Sequence, residues 1–190
     1  MSNIIISGAN EGIGYYLVKQ LLNDGNKVAV LDLQTENLSE LSTIYESNFL
    51  YFQVDMRCED DIENAIRIII NDFQTVDIAI HNACKCTFCA EKDTDMTVYK
   101  DVFDVNYFGA LRLSKYILPY MVNQNKGRFI FTSSGVGVTG FMNISPYASS
   151  KGATIGTSKV QRNAIILPTC LWSLLHNKES CFLFSLFRSP

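Results

Sequence analysis

The sequence has 190 residues, of which 47% are hydrophobic, and its formal net charge is −3. A chain of this size can bury a core of its own, so we expect one globular domain, and the mild acidity argues against a nucleic-acid-binding surface. Because we find no secretory signal and no uninterrupted apolar stretch of the roughly 20 residues that a membrane helix needs, we expect a cytoplasmic protein with no membrane partner.

Short apolar runs alternate with helical patterns along most of the chain. The runs predict strands at residues 4–6, 28–31, 50–54, 78–80 and 129–131. Helical spacing follows the first and third runs, a long helical region covers about 95–123, and another helix is predicted around Tyr147. This alternation predicts an α/β protein with a doubly wound parallel sheet of the Rossmann type, and a ligand site at the carboxyl ends of its strands.

A glycine-rich turn lies between the first predicted strand and the first helix. Gly8, Gly12 and Gly14 have the spacing GxxxGxG. Glycines in this position let backbone N–H groups approach a pyrophosphate, and the helix that follows presents its positive end to the anion. The position of the turn after a strand and before a helix predicts a dinucleotide site.

The second predicted strand ends at Asp32, 18 residues after Gly14. A carboxylate there can accept hydrogen bonds from both ribose hydroxyls of an adenosine. Asp32 would repel a 2′-phosphate, Glu11 adds to that repulsion, and no arginine follows Asp32. The sequence therefore favours NAD over NADP as the cofactor.

Three of the six cysteines crowd into a short segment as Cys84, Cys86 and Cys89. The segment lacks a second CxxC pair and a nearby pair of histidines, so we predict no metal site and free thiols in a reducing compartment. A redox-regulated interaction protein that uses this cluster is a weaker alternative.

As a set, these motifs resemble the short-chain dehydrogenase/reductase family. Residues 8–14 look like the family's cofactor turn, and residues 81–84 look like its Asn-Asn-Ala-Gly segment. Tyr147 and Lys151 match the family's YxxxK pair, and Ser134 lies 13 residues before Tyr147. The resemblance covers about residues 1–159. It implies a cofactor held by Gly8, Asn10, Gly12, Ile13, Gly14, Asp32, Asp55, Met56, Asn82, Ala83, Tyr147 and Lys151.

The resemblance also implies an activity, namely hydride transfer between NAD(H) and a small alcohol or carbonyl substrate. Tyr147 would be the general acid/base, and Lys151 would lower the pKa of Tyr147 and bind the nicotinamide ribose. Ser134 would hold the substrate oxygen, and Asn106 would fix a water that relays protons. Family members associate through helices, so we expect that the protein can form a homo-oligomer. The resemblance does not specify the substrate.

Two departures from the family pattern bear on this interpretation. Cys84 replaces the family's glycine and is expected to crowd the cofactor. Beyond Lys159 the pattern is shortened, so we predict a catalytic domain at 1–159, an atypical tail at 160–190 and an incomplete set of C-terminal strands. Residues 163–168 resemble the next family strand, which requires the preceding helix to end early.

The tail leaves two alternatives open. It is either shortened family sequence or unrelated sequence, as from a shifted reading frame or altered splicing. The rival function is accordingly a truncated nucleotide-binding protein with weak or no catalysis.

Overall fold

The computed structural model describes residues 1–164 and 170–175, and these form a six-stranded parallel sheet covered by helices. The strand order is β3-β2-β1-β4-β5-β6, and every neighbouring pair is parallel. The strands are β1 (Asn3–Ser7), β2 (Lys27–Asp32), β3 (Phe49–Gln53), β4 (Ile78–His81), β5 (Gly127–Thr132) and β6 (Cys170–Leu175). The predicted doubly wound sheet is confirmed.

Helices connect the strands on both faces of the sheet. They are α1 (Gly12–Asn23), α2 (Ser39–Tyr45), α3 (Glu59–Phe73), α4 (Met96–Phe103), α5 (Gly109–Asn123), α6 (Val136–Thr139) and α7 (Ser145–Ala164). A π-helical turn, Asp104–Phe108, joins α4 to α5. In the described part of the chain, no helix combines the length and apolar character that crossing a bilayer requires.

Two hydrophobic cores lie on opposite faces of the sheet because successive strand side chains point in opposite directions. Ile5 packs into the core beside α3 and α5, whereas Ile4 and Ile6 pack into the core beside α1. All three side chains are fully buried. A strand buried on both faces is apolar at every position, which explains the continuous isoleucine run.

The strand order reverses at β1, which has β2 on one side and β4 on the other. The loops that follow β1 and β4 therefore run to opposite sides of the sheet, and a crevice opens between them at the carboxyl ends of the strands. Gly8 after β1 donates its N–H to the Leu31 carbonyl at 2.9 Å, and Asn82 after β4 donates to the Ser7 carbonyl at 3.1 Å. These bonds hold both loops at the crevice.

The prediction of an early helix end is wrong. Helix α7 continues through Ala164, and the sixth strand begins at Cys170 rather than at residue 163. The pairing with β5 is made by Cys170–Leu175. Residues 165–169 and 176–190 lie outside the described residues, and both the boundary at 159 and the incompleteness of the C-terminal strands stay predictions.

Candidate active site

The glycine turn brings the backbone after β1 into close contact with the loop after β4. Gly8 has a φ of +71°, and a Cβ built on it would lie 2.3 Å from the Ala83 Cα. No side chain fits at that distance. Asn82 completes the contact by donating its Nδ2–H to the Gly8 carbonyl at 2.5 Å. The turn and the loop therefore form one rigid wall.

The other two glycines of the turn meet different demands. A Cβ on Gly14 would lie 2.2 Å from the Gly8 carbonyl oxygen, so glycine allows α1 to pack against the turn. Gly12 has a φ of +59° and nothing within 4 Å of an added Cβ, so space is open above it. No side chain caps the N-terminus of α1, which leaves its first N–H groups directed at that space.

Asp32 at the end of β2 is fixed by backbone donors. Its carboxylate accepts from the Asn10 N–H at 2.7 Å and from the Gln34 N–H at 3.1 Å. The Asn10 side chain accepts in turn from the Asn37 N–H at 3.0 Å. These bonds join the glycine turn to the end of β2 and hold the acid at the crevice.

A cavity of about 500 Å³ occupies the crevice. Eight of the predicted cofactor residues line it: Gly8, Asn10, Gly12, Asp32, Asp55, Met56, Asn82 and Ala83. Ile13, Gly14, Tyr147 and Lys151 are not part of its lining. The Ile13 side chain is 62% exposed on α1, and Gly14 is buried beneath the turn.

Asp55, which follows β3, lines the cavity but directs its carboxylate to Arg57. The Arg57 Nη2 donates to Asp55 at 2.7 Å and its Nη1 donates to Asp101 at 2.8 Å. The hydrogen bond from Arg57 lowers the pKa of Asp55 despite partial burial. Both acids are therefore anionic at neutral pH and tie the loop after β3 to α4.

The π-helical turn places Asn106 at the centre of a hydrogen-bond network. The wide turn carries the side chain inward, and Asn106 is 1% exposed. Its Nδ2 donates to the Ser150 hydroxyl and to the Lys85 carbonyl, both at 2.9 Å, and its Oδ1 accepts from the Lys85 N–H at 2.6 Å. Ser150 donates to the Tyr147 carbonyl at 2.7 Å. Asn106 thus connects α7 to the loop after β4.

Tyr147, Lys151 and Ser134 come together between β5 and α7. The Lys151 ammonium lies 5.6 Å from the centre of the Tyr147 ring and donates to the Thr132 carbonyl at 2.8 Å. Ser134 is a hydrogen-bond partner of the Tyr147 hydroxyl. The spacing of four residues therefore places the phenol and the ammonium on the same side of α7, at the end of β5.

Burial is the main influence on the Tyr147 phenol, and the lowering of its pKa by Lys151 stays a prediction. Burial, followed by the nearby Cys84, raises the pKa of Tyr147, and only the hydrogen bond with Ser134 opposes the rise. Burial also lowers the pKa of Lys151, whose ammonium binds a carbonyl instead of the phenol. In this state the phenol is protonated at neutral pH, which suits a proton donor.

Sequence reasoning missed several residues that build the site. Gly137 in α6 packs against α7 so tightly that a Cβ on it would lie 2.9 Å from the Gly152 N. This contact holds the segment of Ser134 against the helix of Tyr147. In the sequence, only the glycines at positions 137 and 152 indicated such a contact. Ser150, which binds Asn106, carried no signal because a serine beside a YxxxK pair is ordinary.

His81 at the end of β4 is a buried neutral side chain. It is 1% exposed, and its Nδ1 lies 2.9 Å from the Ser7 hydroxyl. Burial, aided by the charge of Lys151, lowers the pKa of His81 to about 3. The imidazole therefore stays neutral in the folded protein between about pH 6.5 and pH 3, a range in which an unfolded chain would protonate it.

We expect acidification to destabilise the protein through His81. The unfolded imidazole takes up a proton below its ordinary pKa of 6.5 while the folded one does not, so the free energy of unfolding falls by about 2–3 kcal/mol between about pH 7 and pH 4.5. Urea unfolding at both pH values measures the loss. His81→Asn keeps a polar partner for Ser7 and should flatten that part of the pH dependence. An equal loss in both proteins would contradict the assignment.

The side chains of Cys58, Cys84, Cys86 and Cys89 are free thiols. Within the described residues, no three His, Cys, Asp or Glu side chains group closely enough to hold a metal ion.

Comparisons with known proteins agree with this geometry. Residues 2–165 match the family model of the short chain dehydrogenases. The chain is 30% identical over 162 residues to xanthoxin dehydrogenase of Arabidopsis thaliana, a match that covers 82% of this chain and 57% of that protein. The chain spans about half the length of the curated relatives it matches.

The fold is also found in solved structures of dehydrogenases. A short-chain dehydrogenase from Streptomyces avermitilis superposes with a TM-score of 0.88 at 22% identity, covering 92% of this chain and 65% of that one. An NAD⁺-bound xylitol dehydrogenase superposes with a TM-score of 0.83 at 24% identity, covering 89% of this chain and 66% of that one. With the family match over residues 2–165 and this site geometry, the chain belongs to the short-chain dehydrogenase family.

Proposed function

We propose that this protein is an NAD(H)-dependent oxidoreductase that interconverts a small alcohol and its carbonyl compound, with Tyr147 as general acid/base. The observation that carries the proposal is the cluster of Ser134, Tyr147 and Lys151 between β5 and α7, joined through Asn106 to the wall of a cavity that the glycine turn also lines. The names of the relatives, which are dehydrogenases, support the same reaction class.

Three observations indicate that the crevice can bind a dinucleotide. A Cβ on Gly8 would clash with Ala83, so only glycine fits there, and the turn that lines the crevice can approach a bound dinucleotide closely. The open space above Gly12 and the uncapped start of α1 suit a pyrophosphate. Asp32 presents a carboxylate at the end of β2, where ribose hydroxyls would be held. Ile13 and Gly14 would act through the backbone of α1.

The residues around Tyr147 suggest how protons are handled. A bound nicotinamide would supply or accept the hydride. The Tyr147 hydroxyl donates its proton to a carbonyl oxygen in the reductive direction, and Ser134 holds that oxygen and stabilises charge on it. Lys151 is positioned to stabilise the phenolate that remains, because its ammonium lies on the same side of α7.

Asn106 completes the proposed site as a positioning residue. Its side chain holds the Lys85 backbone on one side and the Ser150 hydroxyl on the other. We propose that this network keeps α7 in register with the loop after β4, so that the phenol meets the substrate at the crevice. Met56 and Asp55 would contact the adenine end, since both line the cavity near β3.

NAD rather than NADP is the proposed cofactor because of Asp32. We expect Asp32→Asn, which preserves the shape and removes the charge, to weaken NADH binding about tenfold. The same change should bring NADPH affinity closer to NADH affinity, since the repulsion of a 2′-phosphate is removed. Fluorescence titration with each nucleotide measures both constants. Asp24→Ser, at the exposed end of α1, is the matched control.

The test of the proposal as a whole is a titration of the purified chain with NADH, followed by a screen of secondary alcohols and ketones. Binding with turnover supports the oxidoreductase. Binding without turnover favours the second candidate, a nucleotide-binding protein without catalysis. No binding at millimolar NADH would overturn both.

We further propose that residues 1–159 carry these functions. Residues 160–190 are then an atypical tail that supplies the end of α7 and strand β6 but no functional residue. A chain ending at residue 159 tests this by its melting temperature and its affinity for NADH. Cytoplasmic location and assembly as a homo-oligomer also remain proposals.

A further inference from the structure

Two thiols lie at the edge of the crevice, in the loop after β4. Cys84 and Cys86 are both exposed, and Cys84 lines the cavity. Residues two apart in a chain have Cα atoms at most about 7 Å apart. A disulfide needs Cα atoms about 4–7 Å apart. A bridge across Lys85 is therefore within reach, provided that the backbone bends there.

A bend at Lys85 would not remain local. The N–H and the carbonyl of this residue are both held by the Asn106 side chain, at 2.6 and 2.9 Å, and its ammonium pairs with Asp101. Asn106 also donates to the Ser150 hydroxyl. Closing a ring around Lys85 would therefore pull on Asn106, which is buried and cannot follow without breaking other bonds.

The thiols are also electrostatic neighbours of the proposed proton-transfer pair. Cys84 and Cys86 both raise the pKa of Tyr147 and both oppose the lowering of the Lys151 pKa. Burial and Cys84 raise the pKa of the Cys86 thiol, and Lys151 opposes that rise. The two sulfurs therefore lie close enough to Tyr147 and Lys151 to act on both groups.

We propose that Cys84 and Cys86 form a thiol–disulfide exchange site that accepts a small disulfide of the glutathione type, closes to an intramolecular disulfide, and thereby weakens nucleotide binding in the adjacent crevice. The last part rests on the proposed function. The first two parts concern the thiols alone.

The chemistry balances without a metal or a further oxidant. The Cys84 thiolate attacks one sulfur of glutathione disulfide, which breaks that S–S bond and releases one glutathione thiolate. The Cys86 thiolate then attacks the Cys84 sulfur of the mixed disulfide and releases the second. The two cysteines lose two electrons together, glutathione disulfide gains them, and the two cysteine protons end on two glutathione thiols.

Counting thiols tests the exchange site. The full chain is equilibrated with reduced and oxidised glutathione at several ratios. Its free thiols are then alkylated with N-ethylmaleimide in a denaturant, and the mass of the product is measured by mass spectrometry. Of its six cysteines, the wild type should lose two reactive thiols at oxidising ratios and gain no glutathione. Cys86→Ser should stop at the mixed disulfide with one glutathione attached. Cys89→Ser should behave as the wild type does, because Cys89 lies three residues beyond and its N–H is bound to the Asn143 carbonyl.

NADH titration of the same samples tests the coupling. The oxidised wild type should bind NADH at least about tenfold more weakly than the reduced protein, with recovery after dithiothreitol. Cys84→Ser should show no such difference. Retention of all thiols at oxidising ratios, or equal thiol loss in Cys84→Ser, would overturn the exchange site. Thiol loss with unchanged affinity would overturn its effect on binding. If the reduced protein binds no NADH, the proposed function fails while the thiol count still decides the exchange site.

Discussion

Tyr147→Phe is expected to lower the rate of alcohol oxidation or carbonyl reduction by about 10²- to 10⁴-fold, which is the usual contribution of one general acid/base. The affinity for NADH should change little, because the Tyr147 side chain is not part of the cavity lining. The phenyl ring keeps the packing of α7, so the substitution removes only the hydroxyl that meets Ser134.

The dependence on pH gives this prediction a second readout. Since burial raises the pKa of Tyr147 above its usual value, the phenol keeps its proton throughout the neutral range. Carbonyl reduction, which needs that proton, should therefore be flat from about pH 6 to 9 and fall only at higher pH. Alcohol oxidation, which needs the phenolate, should rise over the same range. A reversed pattern would contradict the assignment of Tyr147.

Tyr116→Phe is the matched control for this experiment. Its hydroxyl donates to Glu59 at 2.8 Å on the outside of α3 and α5, so its removal should leave the rate unchanged. Stopped-flow and steady-state assays on all three proteins separate binding from the chemical step. Turnover of Tyr147→Phe at the wild-type rate would eliminate the phenol as the proton donor.

Gly8→Ala is expected to abolish NADH binding and to destabilise the fold by at least about 3 kcal/mol. Two costs add. A residue other than glycine at a φ of +71° costs about 1–2 kcal/mol. The added Cβ also meets the Ala83 backbone at 2.3 Å, and this contact can be relieved only by moving the loop after β4. That movement opens the wall of the crevice.

Gly25→Ala separates the two costs. Gly25 has a φ of +80°, but nothing lies within 4 Å of an added Cβ. This variant should therefore lose only about 1–2 kcal/mol of stability and bind NADH as the wild type does. Urea unfolding and fluorescence titration measure both properties. Equal stability and equal NADH affinity in the two variants would show that the Gly8–Ala83 contact does not shape the site.

Local pattern was sufficient for the architecture. Each strand from β1 to β5 contains an apolar run that carries its own signal, because the middle of a strand covered on both faces is apolar. The run Ile4-Ile5-Ile6 is an example, with its side chains divided between two cores. Periodicity predicted α1, α3, the region of α4 and α5, and the helix around Tyr147, whereas α2 and α6 were not predicted. The sixth strand was placed too early, since its position depends on pairing with β5, which is a contact distant in sequence.

The candidate site was predictable in its residues but not in its electrostatics. The spacing of Gly8, Gly12 and Gly14 indicated the turn, and the interval between Tyr147 and Lys151 placed both on one side of α7. The sequence alone thus determined which groups are candidates and at which ends of which strands they lie, because side-chain direction follows the backbone period.

Only the tertiary structure decided how those groups behave. The pKa of Tyr147 is raised because burial outweighs its neighbours. The Lys151 ammonium binds the Thr132 carbonyl, and Asn106 in the π-helical turn holds Lys85 in the loop after β4. Burial and hydrogen-bond partners depend on which segments distant in sequence come into contact in the folded chain. The periodicity of the local sequence does not predict those contacts, so it does not predict the pKa shifts that they cause.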